Sequence, residues 1–162
     1  MIAVPSLIRC RYRITCRTLD GSLRWDTGPF DNLVTTAGKN LNINVMWGAT
    51  GKSANWYVLL KGVGTAAAAD TAASHAGWSE VTAYAESVRQ AATFAAASGG
   101  ASSNTASPAV FTINAGATIA GAGLIDNSTK GGSNGNLYSV GDFGTPLTVV
   151  AADVVTVTVS LV

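Results

Sequence analysis

Residues able to do chemistry are scarce in this chain. One histidine, His75, two cysteines, Cys10 and Cys16, and nine carboxylates are spread over 162 residues. A reacting site needs several titratable groups held together with shifted pKa values. The stretch Gly48-Ala49-Thr50-Gly51-Lys52-Ser53 approaches a phosphate-binding loop. Met46 stands where its first glycine is required, and the loop follows a helical segment instead of opening one. Gly131-Gly132-Ser133-Asn134-Gly135 fits the spelling of a nucleophile elbow. An elbow joins a buried strand to a helix, whereas a polar run precedes this one and a strand pattern follows it. His75 has no set of ligands around it of the kind zinc requires. It is expected to be a structural histidine beside Trp78, with Asp70 and Glu80 available to orient it. Glu80 and Glu86 are six apart, but no saccharide cleft accompanies them. The expectation is a protein that is not an enzyme, has no cofactor or metal, and works through its surfaces.

The strongest surface signal is Arg9-Cys10-Arg11-Tyr12-Arg13-Ile14-Thr15-Cys16-Arg17. Its period of two predicts a half-buried strand, with the arginines on one side and Cys10, Tyr12, Ile14 and Cys16 on the other. Arg9, Arg11, Arg13 and Arg17, with Arg24 close behind, are the candidate partner-binding residues. Like charges on one face repel unless an acidic partner faces them. Nucleic-acid binders usually add a wide positive field and interleaved aromatics, and the net charge here is +1. An acidic protein face is therefore the expected partner, and direct nucleic-acid binding is not expected. Residues 1–61 carry +5 and residues 62–162 carry −4. This asymmetry suits docking on an acidic surface or head-to-tail contact between copies. The tryptophans Trp25, Trp56 and Trp78 offer a different class of function, a carbohydrate-binding module using them as stacking platforms. Core packing is their plainer role.

These residues need a frame. A hydrophobic share of 48% supports a core, and a charged share of 12% suggests a surface covered by neighbours. Residues 1–8 are expected to be an N-terminal arm and residues 9–162 a single β-rich domain. Asp20-Gly21 predicts a turn into a returning strand at 22–25, which Gly28-Pro29 should break. A short helix is expected near residues 36–46, capped by Thr35 or Thr36, with Leu41 and Val45 on one face. Residues 65–77 favour a packed loop. Strands are expected at 56–60, 79–84, 91–96, 109–114, 117–125, 136–140, 146–150 and 154–162. The fold class is all-β and mainly antiparallel, a β-sandwich or jelly-roll-like body with that one helix. Long strands at both ends of the chain pose an edge problem that a second subunit would solve.

Cys10 and Cys16 sit on one face of one strand, about 20 Å apart at the usual rise per residue. That is too far for a disulfide, so both should be buried free thiols, as suits synthesis in a reducing cytoplasm. No stretch has the length of a membrane helix. The apolar start precedes the arginines, whereas a secretory signal places positive charge first.

Several segments resemble small virion proteins of tailed double-stranded DNA bacteriophages. They include Asn32-Leu33-Val34-Thr35-Thr36-Ala37-Gly38, Gly62-Val63-Gly64-Thr65, Asp70-Thr71, Ser74-His75-Ala76-Gly77-Trp78-Ser79-Glu80-Val81, Tyr84 and Arg89. Val110-Phe111-Thr112-Ile113-Asn114, Ala117-Thr118-Ile119-Ala120-Gly121-Ala122, Thr129-Lys130-Gly131-Gly132 and Asn136-Leu137-Tyr138-Ser139 extend the likeness. The resemblance implies a virion structural protein, either a capsid decoration (cement) protein or a tail-associated component, and does not fix which. The leading expectation is a capsid decoration protein on the phage head surface, bound to the major capsid protein and forming a homotrimer. A tail fibre or head-to-tail adaptor component is the alternative in the same setting. The resemblance brings no catalytic residue.

Overall fold

The computed structural model describes residues 9–162. The expected arm at residues 1–8 lies outside the described residues. Among the described residues, eleven strands form two antiparallel sheets with one helix. In the first sheet, β2 (Leu23–Asp31) pairs with β1 (Cys10–Arg17), which pairs with β11 (Val154–Leu161). The far side of β11 is shared by β7 (Ser102–Ser103) and β8 (Ala109–Thr112). In the second sheet, β3 (Leu33–Val34), β10 (Leu137–Val149), β9 (Ala117–Ile125), β4 (Tyr57–Gly64) and β5 (Trp78–Val81) lie in that order, and β6 (Gln90–Ala91) also pairs with β4. The fold is all-β, a sandwich with a single short helix.

The core lies between the sheets. Cys10, Tyr12, Ile14 and Cys16 of β1 and Val155, Val157 and Val159 of β11 are all at or below 1% exposure. They meet Val58, Leu60, Ala122, Leu124 and Tyr138 of the second sheet. The strict alternation in β1 and β11 follows from one buried and one open face. β4 and β9 show a different pattern, with consecutive residues buried. Their outer face is covered as well, by a second cluster of Leu59, Ile125, Leu137, Val140, Trp78 and Ala72. The packed loop expected at 65–77 contributes Ala66 and Ala72 to that cover. Both cysteines are free and buried, and burial pushes the Cys10 thiol to about 11 and the Cys16 thiol to about 12.

Helix α1 (Thr36–Met46) falls where the sequence placed it. Thr35 caps it, its hydroxyl accepting from Gly38 N at 3.0 Å while donating to the Leu137 carbonyl at 2.5 Å. One side chain thus starts the helix and ties it to β10. Gly38 is the point of closest approach, because a Cβ there would overlap the Tyr138 carbonyl. Gly48, at φ +74°, follows the cap residue Trp47 and stops the helix.

Four expectations need correction. Gly28-Pro29 does not break β2. Three residues of β1 (Arg13 to Thr15) span four of β2 (Asp26 to Pro29), a bulge that Gly28 permits at φ +62°. The Thr27 hydroxyl replaces the lost ladder bond by accepting from Ile14 N at 3.0 Å, and Pro29 is tolerated because β2 is an edge strand. The separate strands at 136–140 and 146–150 are one strand, β10. Its register jumps between Asp142 and Leu147, and Phe143 packs into the core there beside Phe30 and Trp25. The terminal strands pose no edge problem, since β1 and β11 pair with each other in the interior of the first sheet. The strand expected at 91–96 shrinks to β6, with the rest of that segment in loop contacts such as Ala95 N to Ser103 O.

Candidate partner-binding face

The outer face of the first sheet carries the arginines. β1 and β11 are in full antiparallel register, so Arg11 lies opposite Ser160, Arg13 opposite Thr158 and Thr15 opposite Thr156. A row of guanidinium groups therefore runs beside a row of hydroxyls. They line a shallow depression of about 400 Å³, with Pro29 and Thr105 at its rim. The alternation in β1 aims these side chains outward because their neighbours fill the core.

The acidic partner expected on another protein is present in the same chain. Arg11 Nε donates to Asp31 at 2.9 Å. Arg13 grips Asp26 with two bonds, at 3.0 and 2.5 Å. Both carboxylates come from β2, the neighbouring strand. The Asp26 carboxyl is held below its usual range, first by the hydrogen bond from Arg13, and Gly28 N adds another at 2.9 Å. Arg17 donates to the Gly21 carbonyl at 2.8 Å, across the turn. Arg24 reaches Asp153 at 3.0 Å and leaves the depression. Arg9 is exposed and pairs through its backbone with Val162. The five arginines thus share one hairpin, but Arg24 is not part of the face. The Arg11 and Arg13 side chains remain 50% and 53% exposed, so their planes are fixed yet accessible.

Folding also reduces the asymmetry of charge along the sequence. Arg24 with Asp153, and Lys61 with Asp142, join the basic first part to the acidic second part. Lys61 is fully buried on the covered side of the second sheet, where it donates to the Gly62 and Gly64 carbonyls. Arg89 is 2% exposed and clasps Glu80 with Nε and Nη2, while Nη1 donates to the Asn127 carbonyl and Nη2 also to the Gly132 carbonyl. Neither buried cation stood out in the sequence, because burial of a lysine or arginine leaves no local pattern.

The other chemistry-bearing residues are held by structural contacts. His75 stacks on Trp78 at 4.1 Å, and its Nδ1 lies 3.0 Å from the Trp78 carbonyl oxygen. The expected helpers act elsewhere: Asp70 accepts from the Trp78 indole and Glu80 holds Arg89. Glu86 accepts from Thr112 N. The Gly131–Gly135 loop is held to Glu80 and Arg89, with Gly131 N donating to Glu80. Ser53 of the other motif-like loop donates to Asp126 at 2.8 Å. Of the tryptophans, Trp78 is buried, Trp56 packs edge-on against Tyr138, and Trp25 donates to the Thr148 carbonyl. The most exposed one, Trp47 at 79%, was not singled out in the sequence. Its signal was there: Ile43, Met46 and Trp47 form a second apolar stripe, out of phase with Leu41 and Val45.

No curated protein is matched by the chain. A family described as podophage GP4 fiber I protein gp80 matches residues 34–162, from β3 to the end and so without the arginine hairpin. The match extends over far more than half of the sequence, and the chain belongs to this family of phage virion structural proteins.

Proposed function

We propose that this protein is a structural subunit of a tail fibre, and that it attaches to an acidic surface of a neighbouring virion protein through the outer face of β1 and β11. The observation that carries this reading is the pre-set row of half-exposed guanidinium groups beside a row of hydroxyls on a rigid sheet. Groups already fixed in place lose little further entropy on docking. The family description favours the fibre over the head shell. The reading requires no reaction, which agrees with the structural contacts made by His75, Glu80 and Glu86. A carbohydrate-binding role for Trp25, Trp56 and Trp78 receives little support from rings packed against the protein's own body.

Copy number per virion and antibody labelling test the location. On the order of ten copies with label on the tail supports the fibre, whereas on the order of hundreds with label on the head points to decoration of the major capsid protein. Arg11→Ser together with Arg13→Ser tests the face. Incorporation into virions should fall, and the wild-type level should decline with salt. Incorporation unchanged at every salt concentration would remove the arginine face from the reading.

A further inference from the structure

Helix α1 is apolar on both sides of its last two turns. Leu41 and Val45 are half-buried against the body, while Ile43, Met46 and Trp47 point away from it at 54%, 74% and 79% exposure. With Asn40, Asn42 and Asn44 between them, these are two opposed apolar stripes, and an apolar stripe on a helix is normally buried against a neighbour. The outward group presents on the order of 400 Å² of apolar surface, the size of the largest patch on a typical monomer, which is often functional. Beside it lies a groove of about 440 Å³ whose apolar lining is Leu41, Val45, Trp56 and Met46, so that Met46 belongs to both knob and groove. An apolar knob and an apolar groove therefore share one surface.

We infer that this surface binds a second copy of the same chain, with Trp47 of one copy entering the Leu41–Val45–Trp56 groove of the next. The charges at its edge support a copy over an unrelated partner. Lys52 lines the groove and has no ion-pair partner among the described residues. Asp126 is tied to Ser53, the next residue in the groove lining, and to Asn136, and meets no cation among the described residues. One cation and one anion at the same edge are self-complementary: Lys52 of one copy can meet Asp126 of the other. The same knob-in-groove contact can close as a pair or as a ring of three. It is independent of the arginine face, which lies on the other sheet, and of the place in the virion.

Mass measured by light scattering on the purified full chain tests the contact. The wild type should form dimers or trimers, and Trp47→Ser combined with Met46→Ser should be monomeric with an unchanged circular dichroism spectrum. Because both side chains are exposed, folding should not suffer; if it does, Ile43→Ser repeats the test. Lys52→Glu should weaken assembly at least tenfold. A wild type that stays monomeric up to its solubility limit overturns the inference, and so does an oligomer indifferent to loss of Trp47 and Met46.

Discussion

Two exposed regions of this molecule answer opposite problems. The β1–β2 hairpin is crowded with charge, and the fold answers each of its central cations with a carboxylate from the adjacent strand. The end of α1 carries little charge and exposes three large apolar side chains that nothing among the described residues covers. The hairpin drew attention in the sequence because its pattern is vivid, yet most of its electrostatic demand is met internally. The helix end has a quieter pattern and the larger unmet demand. A conspicuous charge pattern therefore marks a face but not how much of it is free, whereas an uncovered apolar stripe is visible only once burial is known.

The largest expected effect separates charge pairs by burial. Arg89→Ala leaves Glu80 buried without its cation and removes two carbonyl contacts. A broken pair of this kind costs about 3–5 kcal/mol, readable as a lower midpoint in urea unfolding. Arg13→Ala breaks a pair with similar geometry in half-exposed surroundings, where water screens the charges, so its cost should be far smaller. Equal losses would mean that the hairpin pairs matter to the fold as much as the buried clasp, and the contrast between the two regions would fail. Next in size is Gly38→Ala. The added methyl meets the Tyr138 backbone carbonyl, which cannot turn aside, so α1 must lift from β10. Overpacking of this type costs about 1–3 kcal/mol. Assembly through Trp47 should weaken with it, since the groove lies between the helix and the body. An oligomer that survives Gly38→Ala with α1 displaced would place the contact elsewhere.

Much of the frame was legible. β1, α1, β9 and β11 follow from alternation, from a threonine cap and from Val-Thr repeats, all of which act over a few residues. The errors came where distant partners decide. Gly28-Pro29 reads as a break until β1 supplies Ile14 N for the Thr27 hydroxyl. Residues 142–147 read as a gap because a register jump has no local signature, and only the site that receives Phe143 explains it. The terminal strands looked like loose edges because pairing between residues 10 and 161 spans nearly the whole chain. The face was legible in part. Alternation gave Arg11 and Arg13 their direction, but Asp26 and Asp31, which hold them, sit on the strand that the expected break cut short.

The smallest effect is the most discriminating. The Asp26 carboxyl is depressed chiefly by the hydrogen bond from Arg13. A carboxyl lowered in the folded state stabilises the protein above its unfolded pKa, about 3.9, and that contribution disappears as pH falls through the lower folded value. The stability difference between wild type and Arg13→Ala should therefore be at its full, small size above the unfolded pKa and shrink toward zero as pH falls through the lowered folded value. Trp47→Ser involves no carboxylate, so at concentrations where both chains are monomeric its stability should run parallel to wild type across the same range. A difference for Arg13→Ala that persists into acid would mean that the arginine stem, packed over the sheet, supports the fold and the charge pair does not. In that case the guanidinium is held by its stem, and Asp26 could be exchanged for an external carboxylate without loss to the fold, which is what docking on an acidic partner requires.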